Sequence, residues 1–362
     1  MKIEAAVLRD PTGAYTLENV ELAEPGEGEV LVRVVGVGMC HTDVVPRGGF
    51  IPLPIVPGHE GSGVVEAVGA GVTKVQPGDH VVLTFDSCGT CINCTAGVPA
   101  YCDTFFMRNL SGMRVDGSTS VTDSGGTAVF SRWFGQSSFA THCLATERNV
   151  VVVDKSLPLE LLGPLGCGVQ TGAGSVLVAL DVKPGSSFVV FGAGAVGLSA
   201  VMAAVVAGAT TIIAVDLQQH RLDLALELGA THTLRGDDPE LMMTVHGITG
   251  GGALYCLETT GIPSVMLTAL ACLRMNGVCG YVGVQQGNLE LDGGALLGKT
   301  AIGILEGSVD PQVFIPRMIE LWLAGRFPFD RLIEKYPLSQ VNEAEQSSLA
   351  GGTIKPVLIP GS

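Results

Sequence analysis

Four cysteines crowd into the fifteen residues "CGTCINCTAGVPAYC", at Cys88, Cys91, Cys94 and Cys102. Thiolates are soft ligands that hold zinc, and three cysteines spaced by two residues cannot all pair with one another. The spacing C-x2-C-x2-C-x7-C therefore reads as a metal site rather than a set of disulfides. Iron–sulfur clusters also use close cysteines, but their usual spacings differ in the last interval. Four thiolates complete a tetrahedron around zinc and leave no position for a substrate, so this site reads as structural.

A second pattern, "VVFGAGAVGLSA", places Gly192, Gly194 and Gly197 in the order G-x-G-x-x-G. It follows a β-branched run and opens an alanine-rich one, with Asp216 nineteen residues beyond the last glycine. In that context the motif is a dinucleotide fingerprint. Gly192 allows the tight turn, Gly194 lets the backbone approach a pyrophosphate, and Gly197 lets the helix pack closely on the strand. Asp216 would accept hydrogen bonds from the adenosine ribose and repel a 2′-phosphate, which favours NAD over NADP. The alternative is a glycine-rich structural turn.

A third set is scattered. "GMCHTD" supplies Cys40, "PGHEGSG" supplies His59 with Glu60 beside it, and "GPLGCGVQTG" supplies Cys167. Two thiolates and an imidazole leave a fourth position open, the arrangement of a catalytic zinc. Spacing alone does not join these three residues, and Cys167 reads equally well as core. The cysteines at 143, 256, 272 and 279 read as core.

The elements that must position these groups read as two domains, the default for 362 residues. Over the first 150 residues, short apolar runs such as "EVLVRVVGVGMC", "GSGVVEAVGAGV" and "GDHVVLTF" are broken by glycine and proline, the punctuation of an antiparallel β domain. From about residue 170 strands alternate with helical stretches, which predicts a doubly wound parallel sheet in an α/β protein. Strands are expected at Phe188–Phe191, Thr211–Val215, Ala253–Leu257 and Val278–Val284, and "QQHRLDLALELGA" places Leu222, Ala225 and Leu226 on one helix face. The tail "YPLSQVNEAEQSSLAGGTIKPVLIP" returns to a helix and a strand that rejoin the first domain.

Acids outnumber bases 35 to 20, giving a net charge of −15 with no basic cluster, which argues against nucleic-acid binding. Residues 184–215 carry no charge, yet glycines interrupt the run and its β-branched stretches sit at both ends, so it reads as a buried βαβ unit rather than a membrane span. The N-terminus carries Lys2, Glu4, Arg9 and Asp10 among its apolar residues and lacks a secretory core. A cytoplasmic location with reduced cysteines is expected.

The stretch "GHEGSGVVEAVGAGV" fits the signature G-H-E-x2-G-x5-G-x2-V, and with "CHTD", the four-cysteine segment, "GCGVQTG", the fingerprint and "GGTIKPVL" the chain resembles, nearly end to end, the zinc-containing medium-chain alcohol dehydrogenases. "FGQSSFATH" and "LLGPLGCGVQTGAG" look like the aryl-alcohol (benzyl-alcohol) branch, which also takes allylic and terpene alcohols. The resemblance implies a GroES-like β-rich catalytic domain, 1–168 and 309–362, and a Rossmann NAD-binding domain, 169–308. It implies two zinc ions, NAD, a small alcohol or aldehyde substrate, no nucleic acid or membrane partner, and a homodimer or homotetramer.

Residue by residue, Cys40, His59 and Cys167 would bind the catalytic zinc, and Cys88, Cys91, Cys94 and Cys102 the structural one. Asp43 would orient His59, Thr42 would sit beside the substrate oxygen, His41 would touch the pyrophosphate or join a proton relay, and Glu60 would belong to the catalytic set. Arg221 would flank the adenosine ribose, Val282 and Val284 would contact the cofactor, and Lys355 would meet its pyrophosphate. Val45 stands where many relatives carry a relay histidine, which leaves the proton exit open. Phe50 and Phe85 are candidates for an aromatic pocket and read equally well as core.

The implied reaction is reversible oxidation of primary aromatic or allylic alcohols to aldehydes, the alcohol ionising on zinc and passing a hydride to NAD. Alternatives are another zinc dehydrogenase of this fold, acting on general primary alcohols, terpene alcohols, polyols or a thiol–formaldehyde adduct, or a non-catalytic NAD-binding protein.

Overall fold

The computed structural model describes residues 1–361, which fall into two compact units. The first comprises Met1–Cys167, Asp310–Pro316 and the chain from Asp330 onward; the second comprises Gly168–Val309 and Arg317–Phe329. The resemblance assigned all of 309–362 to the first domain. The structure instead groups Arg317–Phe329 with the second, where the Trp322 and Phe329 rings meet at 5.2 Å.

The first unit is built on a seven-stranded sheet running Ile333–Pro337, Lys355–Ile359, Glu29–Gly38, Glu60–Val68, His80–Leu83 and Val150–Val153, with His142–Thr146 also paired to Glu29–Gly38. The three apolar runs singled out in the sequence are its central antiparallel strands. The tail forms the helix Val341–Leu349 and the strand Lys355–Ile359, which pairs with Glu29–Gly38 at Val357–Gly38. Lys355 thereby enters the core of the unit.

The second unit carries a six-stranded parallel sheet ordered His232–Arg235, Thr211–Asp216, Ser187–Phe191, Ala253–Glu258, Leu273–Tyr281 and Thr300–Gly303. Numbered along the chain this is 3-2-1-4-5-6, the doubly wound order whose switch point lies between the first and fourth strands. The uncharged 184–215 run becomes strand, the helix Ala195–Ala207 and strand, with that helix buried from Gly197 to Ala204. No single helix of the described residues is long and apolar enough to cross a membrane.

Two local expectations differ. The strand expected to reach Val284 ends at Tyr281, because Gly283 runs against the Gly261 backbone, where a Cβ would lie 2.3 Å from the Gly261 nitrogen. On the helix Gln219–Glu227, Leu222 and Ala225 are buried but Leu226 is 47 % exposed. The buried stripe continues from Ala225 to Leu228, three residues on, and turns Leu226 outward.

Candidate active site

The short 3-10 helix His41–Gly48 begins at Cys40, whose backbone N–H donates to Asp43 Oδ2 at 3.0 Å. Asp43 is 1 % exposed, and its other oxygen accepts from the Gly58 N–H at 3.0 Å and from His59 Nδ1 at 2.7 Å. A carboxylate in that position holds the imidazole with its proton on Nδ1 and its lone pair on Nε2. His59 is fully buried and its Nε2 has no hydrogen-bond partner.

Cys167 reaches the same place from the far end of the unit. It follows the turn Gly163–Gly166, which lies against the central strands: a Cβ on Gly166 would sit 2.0 Å from Leu83 O, and Thr84 Oγ1 donates to Gly166 O at 2.7 Å. The ligand atoms of Cys40, His59, Glu60 and Cys167 lie within 4.8 Å of one another. Contact with Cys167, aided by His59 and Lys355, holds the Cys40 thiol well below its usual range despite burial. Two convergent sulfurs, that of Cys40 held low, and an imidazole nitrogen with an uncommitted lone pair fit zinc.

Glu60 is within reach of the set, but both its oxygens accept from Lys355 Nζ at 2.9 Å. Lys355, 2 % exposed, also donates to Met39 O at 3.1 Å. The resemblance placed this ammonium on the cofactor pyrophosphate; in the structure it is the buried partner of Glu60. Thr42 Oγ1 stands 3.8 Å from Cys40 Sγ, and the neighbouring His41 is exposed.

Two residues of this site escaped the sequence reading. Phe134, in the left-handed region at φ 50°, stacks on His59 with ring centroids 4.4 Å apart. Gln136, fully buried, donates to His59 O and Thr84 O and accepts from the Gly61 N–H and Ser138 Oγ. Its only signal was a glutamine inside the apolar "WFGQSSF". Phe50, by contrast, is 91 % exposed, and Phe85 packs in the core against Phe105, so neither forms the suggested aromatic pocket.

Cys88, Cys91, Cys94 and Cys102 also bring their sulfurs within 4.8 Å of one another, and no disulfide links the ten cysteines. The Thr90 and Cys91 N–H groups point at Cys88 Sγ at 3.4 and 3.3 Å and hold that thiol at about 5; the Cys88 N–H donates to Cys102 Sγ at 3.2 Å. Burial pushes the Cys94 thiol up to about 12, so it is the convergence of four sulfurs, with backbone dipoles aimed at Cys88, that fits zinc.

In the second unit the fingerprint opens the Ala195–Ala207 helix at the carboxyl end of the first strand. Gly192 has φ 93°, and a Cβ on Gly197 would lie 1.8 Å from Gly192 O. A Cβ on Gly194 would meet nothing within 4 Å, so protein packing does not demand that glycine, whereas a closely approaching pyrophosphate would. Asp216 accepts from the Ala193 and Gln218 N–H groups at 2.6 and 2.8 Å, and each oxygen keeps a second lone pair. Arg221 Nη1 lies 4.0 Å from Asp216, and its buried Nε has no partner. Val282 and Val284 lie just beyond the Tyr281 end of the fifth strand.

Residues 26–155 match the alcohol dehydrogenase GroES-like domain family and residues 195–322 the zinc-binding dehydrogenase family. The chain is 49 % identical to a geraniol dehydrogenase of Castellaniella defragrans, over 98 % of this chain and 97 % of that one. Its fold is similar to benzyl alcohol dehydrogenase from Acinetobacter calcoaceticus, with TM-score 0.96, 45 % identity and full coverage of both chains. It is likewise similar to an alcohol dehydrogenase zinc-binding domain protein from Burkholderia ambifaria, with TM-score 0.97, 50 % identity and 99 % coverage of each chain.

Proposed function

Because this chain belongs to the zinc-containing medium-chain alcohol dehydrogenase family, we propose that it oxidises primary aromatic or allylic alcohols to aldehydes with NAD as hydride acceptor. The observation that carries the catalytic reading is the buried, unpartnered Nε2 of His59 facing two thiols, its other nitrogen tied to Asp43. The substrate class is supported by two relatives named for geraniol and benzyl alcohol. Both are primary alcohols whose carbinol carbon adjoins an sp² carbon.

Cys40, His59 and Cys167 would hold zinc, which would supply a Lewis acid that lowers the pKa of an alcohol oxygen. Asp43 keeps the imidazole oriented for that metal. The Thr42 hydroxyl receives the alcohol proton and passes it on, and with Val45 in the usual relay position the exposed His41 is its exit. The Gly192–Gly197 turn and the helix N-terminus it opens bind the NAD pyrophosphate, and Asp216 accepts from the ribose hydroxyls. Cys88, Cys91, Cys94 and Cys102 would hold a second zinc that braces their lobe.

The thiol–formaldehyde alternative calls for basic side chains toward the substrate. Lys355, the ammonium of this set, is buried and matched by Glu60, which favours a neutral alcohol.

Metal analysis together with NAD reduction by benzyl, cinnamyl, geranyl and ethyl alcohols tests the proposal. About two zinc ions per chain are expected, one from each donor set, with kcat/KM higher for the first three alcohols than for ethanol. A preference for ethanol would overturn the substrate class, and no NADH from any alcohol would overturn the catalytic reading.

A further inference from the structure

Apart from the metal-ligand sets, the first unit contains a cavity of about 270 Å³. Its wall includes three arginines, Arg108, Arg114 and Arg132, and two buried carboxylates, Glu29 and Asp86. Two of the arginines are matched. Arg114 donates from Nε and Nη2 to the two oxygens of Glu29 at 2.7 and 2.9 Å, and Arg108 donates to Asp86 Oδ2 at 3.0 Å.

Arg132 is the exception. It is 4 % exposed, and its side chain makes one hydrogen bond among the described residues, from Nη1 to Leu144 O at 2.6 Å. Its nearest carboxylate oxygen, Glu29 Oε1, is 3.6 Å away in an ion pair shared with Arg114. Its other guanidinium N–H groups make no hydrogen bond among the described residues, and the residue lines the cavity. Burial pulls the Arg132 pKa down from its ordinary value, in keeping with a charge that the protein itself does not fully compensate.

We propose that this cavity binds a small organic monocarboxylate, held by the free guanidinium N–H groups of Arg132, with the apolar end of the ligand against Met113 and Val115. The lining holds three guanidinium groups and four carboxylates, of which only Glu29 and Asp86 are buried on the inner wall, so the local contact with Arg132, not the net charge, would hold a monoanion. The exposed Glu27 and Asp116 complete the lining and disfavour a dianion. A planar carboxylate also matches the fork of a guanidinium edge better than a spherical anion does. The proposal rests on this wall alone and is independent of the alcohol specificity. Its chemistry does include the acid formed when an aldehyde is oxidised one step further.

The test uses the zinc-loaded enzyme and 4-bromobenzoate. In crystals soaked with it, the bromine anomalous peak is expected in this cavity with the carboxylate on Arg132. In calorimetry, Arg132→Met should raise Kd by about tenfold or more, the usual effect of losing a charge-assisted hydrogen bond. Val115→Trp fills the cavity from a side chain that is 55 % exposed, so it should fold normally even if Arg132→Met does not, and it should weaken binding to a similar degree. Inorganic phosphate should bind at least tenfold more weakly than the carboxylate. A peak confined to the catalytic metal or to another surface, or an unchanged Kd in Val115→Trp, would overturn the site. Phosphate binding as tight as the carboxylate would overturn the ligand class.

Discussion

Lys355 and Glu60 are 295 residues apart in the chain, yet the ammonium lies 2.9 Å from both carboxylate oxygens, buried beside the imidazole of a proposed metal ligand. The carboxylate lies so close to Gly38 that a Cβ there would sit 2.0 Å from Glu60 Oε2, so the strand must carry glycine at that point. Burial works against the Lys355 charge, but Glu60 and then Cys40 more than offset it and raise its pKa above the ordinary lysine value.

Removing one partner of such a pair leaves an uncompensated buried charge. Lys355→Met should therefore destabilise the protein by about 3–5 kcal/mol, while the double variant Glu60→Gln/Lys355→Met recovers much of that loss. Urea unfolding of the four species measures it; a fully additive cycle would show that the pair does not act as a unit.

Cys40→Ser should abolish turnover while leaving NAD binding intact, because the fingerprint lies in the other unit. Cys102→Ser should instead lose the lobe metal and lower Tm. Metal content, NADH production and NAD titration of each purified variant separate the two donor sets. Near-normal turnover in Cys40→Ser would make the catalytic assignment wrong.

Asp43 serves the His59 ring and two backbone N–H groups at once. Asp43→Asn should weaken zinc retention about 10–100-fold, the usual cost of losing a carboxylate behind a metal-binding imidazole. Competition with a chelator reads this directly, independently of activity.

Asp216→Ala should cut kcat/KM for NAD by roughly tenfold or more and narrow the gap to NADP, since it removes ribose acceptors and the charge that opposes a 2′-phosphate. Kinetics with both cofactors provide the ratio. An unchanged ratio would show that Asp216 serves only the Ala193 and Gln218 backbone bonds.

Glu29 is buried, which alone would raise its pKa, but Arg114, the Arg132 charge and the Gly26 N–H together hold it below 4.5. A lowered folded-state pKa stabilises the fold fully above the unfolded value of 4.5, and the contribution disappears as pH falls through the folded value. The stability advantage of the native protein over Glu29→Gln should therefore hold at pH 7 and shrink progressively below about 4.5. Unfolding curves from pH 7 to 3.5 check the sign; an advantage growing in acid would refute it.

Contiguous features were legible before any coordinates. The four-cysteine cluster needs only a local turn, and its sulfurs converge. The strand–glycine–helix fingerprint needs only the βαβ period, and its parallel sheet follows. Where a reading depended on which way one side chain faces, it went astray. Leu226 fell off the buried stripe by part of a turn, Phe50 pointed outward, and the fifth strand stopped short where two glycine backbones cross.

Residue type and short-range spacing, together with the resemblance they carried, thus determined the two-unit architecture, the fingerprint and the candidate donor residues of both metal sets. Spacing alone did not join Cys40, His59 and Cys167, which the resemblance grouped; the tertiary structure brings them together through sheet pairing and glycine-tight packing that no local pattern encodes. It alone revealed Lys355 as the buried partner of Glu60, by pairing the last strand with Glu29–Gly38 and carrying the ammonium inward. It alone exposed Arg132 as a buried charge short of partners, since a side chain's hydrogen bonds depend on neighbours distant in sequence.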